Sequence, residues 1–331
     1  MHHIDFLAIG DTVVDAFIRL SQAEDTFNVD HTKRELCMTF GDKIPFEFAT
    51  VISGVGNSAN AAVAAARLGM RSYLLTNVGG DKYGQDCIDR LKEEGVQPDF
   101  IKVNKGRITN YHYVLWFHNE RTILIKHEDY DYDLPDIGSP KWIYLSSLSK
   151  ASLPLHKKLE DYLDAHPDVQ LAFQPGTFQM TLGIDALAGI YRHSTIFFCN
   201  VEEAKRILNT EESDVKKLME MLSSLGPKTV VVTDGPSGSY AYDKQSGKAW
   251  FMPPYPDPKE PYERTGAGDA FASTFTAARM QGKTIPEALA WGSINSMSVV
   301  QFVGAQQGLL PKEKIEEYLA KKPAGFEPKE L

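Results

Sequence analysis

A doubly wound α/β sheet carrying a small antiparallel β lid is the fold this sequence predicts. Three observations predict it. Short β-branched and aromatic runs alternate with helical stretches along most of the chain, the rhythm of a mostly parallel sheet with helical crossovers. Several of the strand runs are apolar almost without interruption, as strands buried on both faces must be. Two segments, about 16–52 and 100–127, break the rhythm and offer no helical crossover.

Taken in chain order, the core strands are expected at Ile4–Ile9, Ser72–Thr76, Trp142–Leu145, Val169–Phe173, Thr195–Cys199 and Thr229–Thr233. Helical spacing predicts crossovers at Asn57–Leu68, Gln85–Glu94, Leu155–Ala165 and Val215–Leu225. In the first irregular segment Phe40, Ile44, Phe46 and Phe48 partly alternate with polar residues. In the second, Tyr111–Trp116 and Thr122–Ile125 read as two strands joined by the polar turn His118-Asn119-Glu120-Arg121. Both are assigned to the lid, as insertions in one domain spanning 1–331. Pro253–Pro258 reads as a rigid surface connection, and the polar tail after Lys321 as loosely held.

Composition narrows the function. With 331 residues, 43% hydrophobic and 24% charged, the chain can build a sizeable core without metal or disulfide. A formal charge of −9 argues against nucleic acid, whose binders neutralise phosphates with basic surface. An anionic cosubstrate is still compatible with local backbone N–H groups and a few basic side chains. Cys37, Cys87 and Cys199 are far apart and form no C-x-x-C, so neither zinc nor a disulfide framework is indicated. No run approaches the roughly 20 apolar residues of a membrane span, and the N-terminus lacks a signal-peptide pattern. The expectation is a cytoplasmic protein with no membrane partner.

The chemistry concentrates in Glu263-Arg264-Thr265-Gly266-Ala267-Gly268-Asp269-Ala270-Phe271. A loop of small residues opens into a helix, with Phe271, Phe275 and Ala278 at i, i+4 and i+7 and Gly282 as a stop signal. Unpaired N–H groups of the first turn and the helix dipole make such a loop a site for phosphate oxygens. Asp269 lies within that turn. Two readings fit it: a helix-capping aspartate, or a base that takes the proton of an attacking hydroxyl during phosphoryl transfer.

Thr265–Phe271 resembles the C-terminal signature of the ribokinase-like (PfkB) family of carbohydrate kinases, and further matches in the expected order extend the resemblance over nearly the whole chain. Val55-Gly56-Asn57-Ser58-Ala59-Asn60-Ala61-Ala62, running on to Ala66-Arg67-Leu68-Gly69, is similar to the family's first signature. Val78-Gly79-Gly80-Asp81-Lys82-Tyr83-Gly84 resembles a turn the family places after its next strand. Asn200-Val201-Glu202-Glu203 resembles the N-x-x-E element, and Val231–Gly238 the nucleotide-side strand and turn.

The resemblance implies a ribokinase-like fold and an ATP- and Mg²⁺-dependent phosphotransferase acting on a hydroxyl of a sugar or sugar-like molecule. It implies Asp269 as general base, with the N–H groups of Gly266, Ala267 and Gly268 as anion hole. Asn200 and Glu203 would organise Mg²⁺ and phosphate, with Glu203 as the metal-side carboxylate. Thr233, Gly235, Gly238 and Asn295 would belong to the nucleotide side. Asp15, Gly56, Asn57 and Asn60 would belong to the substrate side. The residues themselves leave alternatives open: Asp15 also suits a turn cap, Asn60 a buried structural hydrogen bond, and Asn200-x-x-Glu203 is equally a helix capping box.

Two departures from the pattern stand out. Val55 occupies the place of a glycine, and Glu263 stands where an aspartate commonly opens the second signature, which puts dependence on a monovalent cation in doubt. Gly282-Lys283-Thr284 is not a P-loop, because Ala277 replaces the leading glycine and a helix precedes it. His2-His3 has no partner ligands. A nucleoside (adenosine-type) acceptor would want an aromatic slot, for which Phe40, Phe46 and Trp116 are candidates. A sugar phosphate would want Lys43, Arg107 or Lys126. A non-catalytic sensor on the same scaffold, and a homodimer paired through the lid, complete the alternatives.

Overall fold

The structure is a computed structural model describing residues 3–21, 27–30, 35–118 and 120–331. His2, parts of the first irregular segment and Asn119 of the polar turn lie outside the described residues. The strands are β1 Phe6–Ile9, β2 Val13–Leu20, β3 Phe27–Asp30, β4 Glu35–Met38, β5 Phe46–Val55, β6 Ser72–Gly79, β7 Ile101–Asn104 and β8 Tyr111–Phe117. They continue with β9 Glu120–Lys126, β10 Trp142–Leu145, β11 Gln170–Phe173, β12 Ser194–Asn200, β13 Thr229–Thr233, β14 Ser239–Asp243, β15 Lys248–Met252 and β16 Lys329–Glu330. The helices are α1 Asn57–Arg67, α2 Lys82–Glu93, α3 Leu153–Ala165, α4 Thr177–Leu182, α5 Ala188–His193, α6 Val201–Leu208, α7 Val215–Ser224, α8 Ala267–Met280, α9 Ile285–Val299 and α10 Lys312–Ala320.

The large sheet has ten strands in the order β16-β15-β14-β13-β12-β11-β10-β1-β6-β7. From β13 to β7 all pairings are parallel, and β14, β15 and β16 add an antiparallel edge. The uninterrupted apolar runs have a direct cause: successive residues enter opposite cores. Phe6 and Ala8 of β1 pack with the alanine-rich face of α1 and with Phe271, Phe275 and Trp291 of α8 and α9. Leu7 and Ile9 pack with Leu155, Leu159 and Leu163 of α3 and Leu218 and Leu222 of α7. Alternation at period two therefore leaves neither face polar.

Strand order reverses at β10-β1, since the chain runs from β1 outward to β6 on one side and from β10 to β11 on the other. Open α/β sheets bind ligands in the crevice at such a switch point. Asp11, Ser147 and Gln174 follow the carboxyl ends of β1, β10 and β11 there.

The lid is a four-stranded sheet in the order β5-β2-β8-β9. Its outer pairs are antiparallel, while β2 and β8 run parallel at its centre. Register aligns Asp15, His112 and Ile125 in one row, Phe17, Val114 and Ile123 in the next, and Arg19, Trp116 and Arg121 in a third. Side chains in these rows share one face, because they occupy directly opposed positions two residues apart along each strand.

Three boundaries differ from expectation. The lid begins at Val13 and its first piece reaches Val55. The segment 100–127 divides, because Ile101–Asn104 joins β6 at the edge of the large sheet; only Tyr111 onward enters the lid. The tail is anchored rather than loose: Phe326 is buried against Tyr255 at 4.8 Å between ring centroids, and β16 pairs with β15. The three thiols are free; Cys87 and Cys199 are buried, and burial pushes Cys87 up to about 12.

Candidate active site

Asp269 enters the site on the first turn of α8, and its surroundings explain why the loop before it is small. Gly266 caps the helix with φ 80, and a Cβ there would stand 2.3 Å from the Ala305 Cβ. Only glycine fits both constraints. A Cβ at Gly268 would meet nothing nearer than the Gln174 amide at 4.0 Å, so this stretch of backbone faces open space. The first-turn N–H groups have no helical acceptors and face the cavity with the positive end of the helix dipole.

The Asp269 carboxylate is buried, yet it meets amides rather than a salt link. Asn57 Nδ2 donates to Oδ1 at 2.7 Å, Gln174 Nε2 to Oδ1 at 3.3 Å, and Asn60 Nδ2 to Oδ2 at 2.9 Å. Asn57 and Asn60 stand one turn apart on α1, which brings both amides to the same face. Each arrangement is held from behind. Gln306 Nε2 donates to Asn60 Oδ1 at 3.1 Å, and the Tyr144 hydroxyl donates to Gln174 Oε1, so neither amide can turn its carbonyl toward Asp269. Burial lifts the Asp269 pKa above the ordinary carboxylate value; the three amides and the nearby Arg121 charge oppose that shift without cancelling it.

Asp269 opens onto a cavity of about 400 Å³. Asp15, Gly56, Asn57, Asn60, Asn200, Glu203 and Thr233 all line it, together with the Gly266–Gly268 loop. A second recess of about 300 Å³, lined by Gly235, Gly238, Tyr255 and Ser296, adjoins it. The two share Thr233, Arg264, Ala267, Gly268 and Phe271. The glycine loop is therefore the seam between two compartments, with the carboxylate in one of them.

Asn200 and Glu203 form a reciprocal capping box on α6: Glu203 N donates to Asn200 Oδ1 at 2.8 Å, and Asn200 N to Glu203 Oε2 at 2.9 Å. Burial raises the Glu203 pKa, the Asn200 N–H lowers it, and the charge of Asp269 adds to the rise. Glu263 is buried and braces the loop, accepting from Thr265 N at 2.7 Å, from the Thr265 hydroxyl and from Gly304 N at 3.3 Å.

Asn295 leaves the binding set. It is fully buried in α9, where Nδ2 donates to Thr274 Oγ1 at 2.6 Å and Oδ1 accepts from Leu310 N at 2.9 Å. Both ends of the amide are spent joining α8, α9 and the following loop, and Asn295 lines neither compartment. The rings proposed for a nucleoside slot also lie elsewhere. Trp116 is buried under Arg19 at 4.2 Å and against Tyr262, while Phe40 and Phe46 are exposed. Lys43, Arg107 and Lys126 are likewise absent from the cavity wall.

Sequence reasoning missed Gln174, Arg121, His112 and His127, all of which line the acidic cavity. Gln174 had a readable signal, since it directly follows a predicted parallel strand. The other three come from the lid, where only the register reveals which face a residue takes. Arg121 and Arg264 line the cavity with the glycine loop; the Nε of each is buried without a hydrogen-bond partner among the described residues, and Arg121 Nη1 lies 3.8 Å from Glu263 Oε1.

Two compartments meeting at a helix N-terminus, with a carboxylate on one side, define a phosphoryl-transfer enzyme with a small-molecule acceptor. The chain belongs to the pfkB family of carbohydrate kinases, whose model matches residues 30–313, and it is an ATP-dependent kinase of the sugar type. It is 31% identical to ribokinase of Bacillus subtilis (strain 168) over 82% of this chain and 89% of that protein. Its fold is that of the nucleoside kinase of Methanocaldococcus jannaschii (TM-score 0.78, 21% identity, covering 97% of this chain and 100% of that one). It is also that of Arabidopsis thaliana ribokinase complexed with ribose and ATP (TM-score 0.75, 19% identity, covering 96% and 99%). No helix among the described residues is long and apolar enough to cross a membrane.

Proposed function

We propose that the chain transfers the terminal phosphoryl group of Mg·ATP to a hydroxyl of a polyhydroxylated, sugar-like acceptor, with Asp269 as general base. The observation that carries this is the position of Asp269, on the acceptor side of a glycine loop shared by both compartments. The acceptor occupies the cavity beside Asp15, Gly56, Asn57 and Asn60. ATP occupies the recess beside Gly235 and Gly238, with its phosphates reaching the seam past Thr233.

Oδ2 of Asp269 accepts a single hydrogen bond among the described residues and keeps capacity for another. It takes the acceptor's hydroxyl proton as that oxygen bonds to the γ-phosphorus. The bond from phosphorus to the bridging oxygen breaks, and ADP leaves with that electron pair. N–H groups of the Gly266–Gly268 loop receive the equatorial oxygens, and the Arg121 and Arg264 guanidiniums, each with an Nε free of hydrogen bonds among the described residues, add positive charge. Asn57 and Asn60 each commit one of their two amide N–H groups to the base.

Mg²⁺ fits the residues present. It binds through one or two carboxylates together with phosphates and waters, and Glu203 faces the cavity with Oε1 not used by its capping box. Glu203, with Asn200 beside it, would hold the ion through water. When bound, the ion neutralises charge on the phosphates.

The polar wall, with Asp15, His112 and His127, favours a polyol over a nucleobase. The free thiols fit a reducing compartment, and on that ground we place the enzyme in the cytoplasm. Exposed Val51, Tyr113 and Leu124 on the lid favour pairing of two lids in a homodimer. ADP release measured across free sugars, sugar phosphates and nucleosides tests the acceptor class. Preferred turnover of nucleosides would overturn the polyol assignment.

A further inference from the structure

The lid strand β5 runs directly into α1, the helix that carries two of the amides on Asp269. Two glycines at positive φ form the joint. Val14 pairs with Ser53 and Val13 with Val55, which leaves Gly54 as an extra, bulged residue at φ 73. Gly56 follows at φ 112 as the N-cap of α1. A single nitrogen spans this joint: Gln306 Nε2 donates to Gly54 O at 2.8 Å on the lid side and to Asn60 Oδ1 at 3.1 Å on the helix side. Gln306 is buried and held by the body. Its main-chain carbonyl accepts from Arg67 Nη1 at 2.8 Å, and Arg67 clasps Glu94 by two bonds of 2.8 and 2.9 Å.

Donation along this line has one direction. It starts at Gly54 O, a carbonyl that only accepts, and ends at Asp269 Oδ2, which only accepts while ionised. Nitrogen must therefore face Gly54 in Gln306 and face Asp269 in Asn60. Turning Gln306 over would set its oxygen against two others. Its Oε1 is buried without a partner among the described residues, so the side-chain bonds it makes are the two it donates.

The direction matters once Asp269 has taken the acceptor's proton. An Asn60 free to turn would offer its carbonyl to the new O–H and hold the base in its protonated form. We infer that Gln306 is a positioning residue: by clasping Gly54 and Asn60 together it keeps the Asn60 N–H, and not the Asn60 carbonyl, on the proton-accepting oxygen, and ties that setting to the lid. The inference rests on Asp269 being the base. Asp269 also feels Arg121 of β9, Glu203 of α6 and the Tyr144 hydroxyl of β10. Arg264, Asp15, His112 and His127 line the same cavity. None of these is hydrogen-bonded to Gln306 or Asn60 among the described residues, so their effect is common to the variants compared.

The test uses the full chain as wild type, Gln306→Met, Asn60→Leu and the double variant. Carboxyl ¹³C spectra of the ligand-free, aspartate-labelled protein, with Asp269 assigned from its loss in Asp269→Asn, follow ionisation of the base. Gln306→Met keeps the shape and removes the donor. It should raise the Asp269 midpoint by about one pH unit, the worth of one hydrogen bond, and should leave it unmoved in the Asn60→Leu background. A midpoint unmoved by Gln306→Met, or moved equally with and without Asn60, would overturn the positioning role. Amide exchange over Phe46–Val55 should quicken in Gln306→Met, and unaltered exchange there would overturn the tie to the lid. If Gln306→Met does not fold, Gln306→Glu sets a carboxylate against the same two oxygens, and the Asn60-dependent part of its shift decides in the same way. In ADP-release kinetics, with whichever of ribose, fructose, a sugar phosphate or adenosine is turned over, the acid limb of kcat/KM should move with the spectra while the KM for ATP stays within a few fold. An acid limb that stayed in place would count against Gln306. Lack of turnover by the wild-type chain on all four acceptors would count against the proposed function, and the spectra would decide the role of Gln306 independently.

Discussion

Replacing Asp269 by Asn alters one atom of a group that three amides hold in place, and the structure says which atom. An amide nitrogen at the Oδ1 position would face two donors, Asn57 at 2.7 Å and Gln174 at 3.3 Å. At Oδ2 it would face only Asn60 at 2.9 Å. Asn60 cannot turn to accommodate it, because Gln306 donates to the Asn60 carbonyl. The new NH₂ therefore settles at Oδ2 and forfeits one hydrogen bond, worth about 0.5–1.5 kcal/mol. That is the position with capacity to receive the acceptor's proton, so the substitution replaces a proton acceptor by a donor. Loss of a general base costs roughly 10²–10⁴ in kcat, equivalent to about 2.7–5.4 kcal/mol of barrier. ATP affinity should change little, since the second compartment is untouched. Coupled ADP-release kinetics give kcat, and calorimetric titration gives ATP affinity. A kcat within a few fold of wild type would refute the base assignment, whatever happened to KM.

Other outcomes follow from the same geometry. Burial raises the Asp269 and Glu203 pKa values, so kcat/KM should fall on acidification with a limb above the ordinary carboxylate range; a limb near 4 would contradict the buried site. For Asp269 the folded state holds its proton more tightly than the unfolded chain, so its ionisation lowers stability as pH rises through that window, and Asp269→Asn should flatten this part of a urea-unfolding profile. Gly266→Ala forces a methyl to within 2.3 Å of Ala305 at φ 80; a melting temperature several degrees lower and a raised KM for ATP are expected, and an unchanged melting temperature would show that the loop can shift. Phe275→Ala empties a fully buried site between α8 and β12 and should cost about 3–5 kcal/mol in urea unfolding. Arg121→Met should lower kcat roughly ten- to a hundredfold with intact folding, and an unaltered kcat would remove Arg121 from the phosphoryl site.

Legibility in the sequence followed burial. The parallel strands were readable because both their faces enter apolar cores, which leaves an unbroken signature at positions such as Phe6–Ile9 and Thr229–Thr233. The glycine loop and Asp269 were readable because small residues before a helix have few other uses. The edge strand Ile101–Asn104 was not, since an exposed edge carries no such run and its partners are set by β6. Asn295 was placed on the nucleotide side by the resemblance alone, and only the structure shows both ends of its amide engaged by Thr274 and Leu310. His112, Arg121 and His127 were invisible because a lid residue's facing depends on register, which local spacing does not determine.

Two of the three amides on Asp269, those of Asn57 and Asn60, reach it across 212 and 209 residues of chain. During synthesis the amino-terminal segment is exposed to cellular ATP long before the carboxylate emerges, at roughly 5–20 residues per second. The donors come first, the base late, and Gln306, which locks Asn60, later still. A ribosome-bound intermediate therefore has no assembled centre with which to squander nucleotide. Catalytic competence is reserved for a polypeptide whose distant segments have already closed on one another.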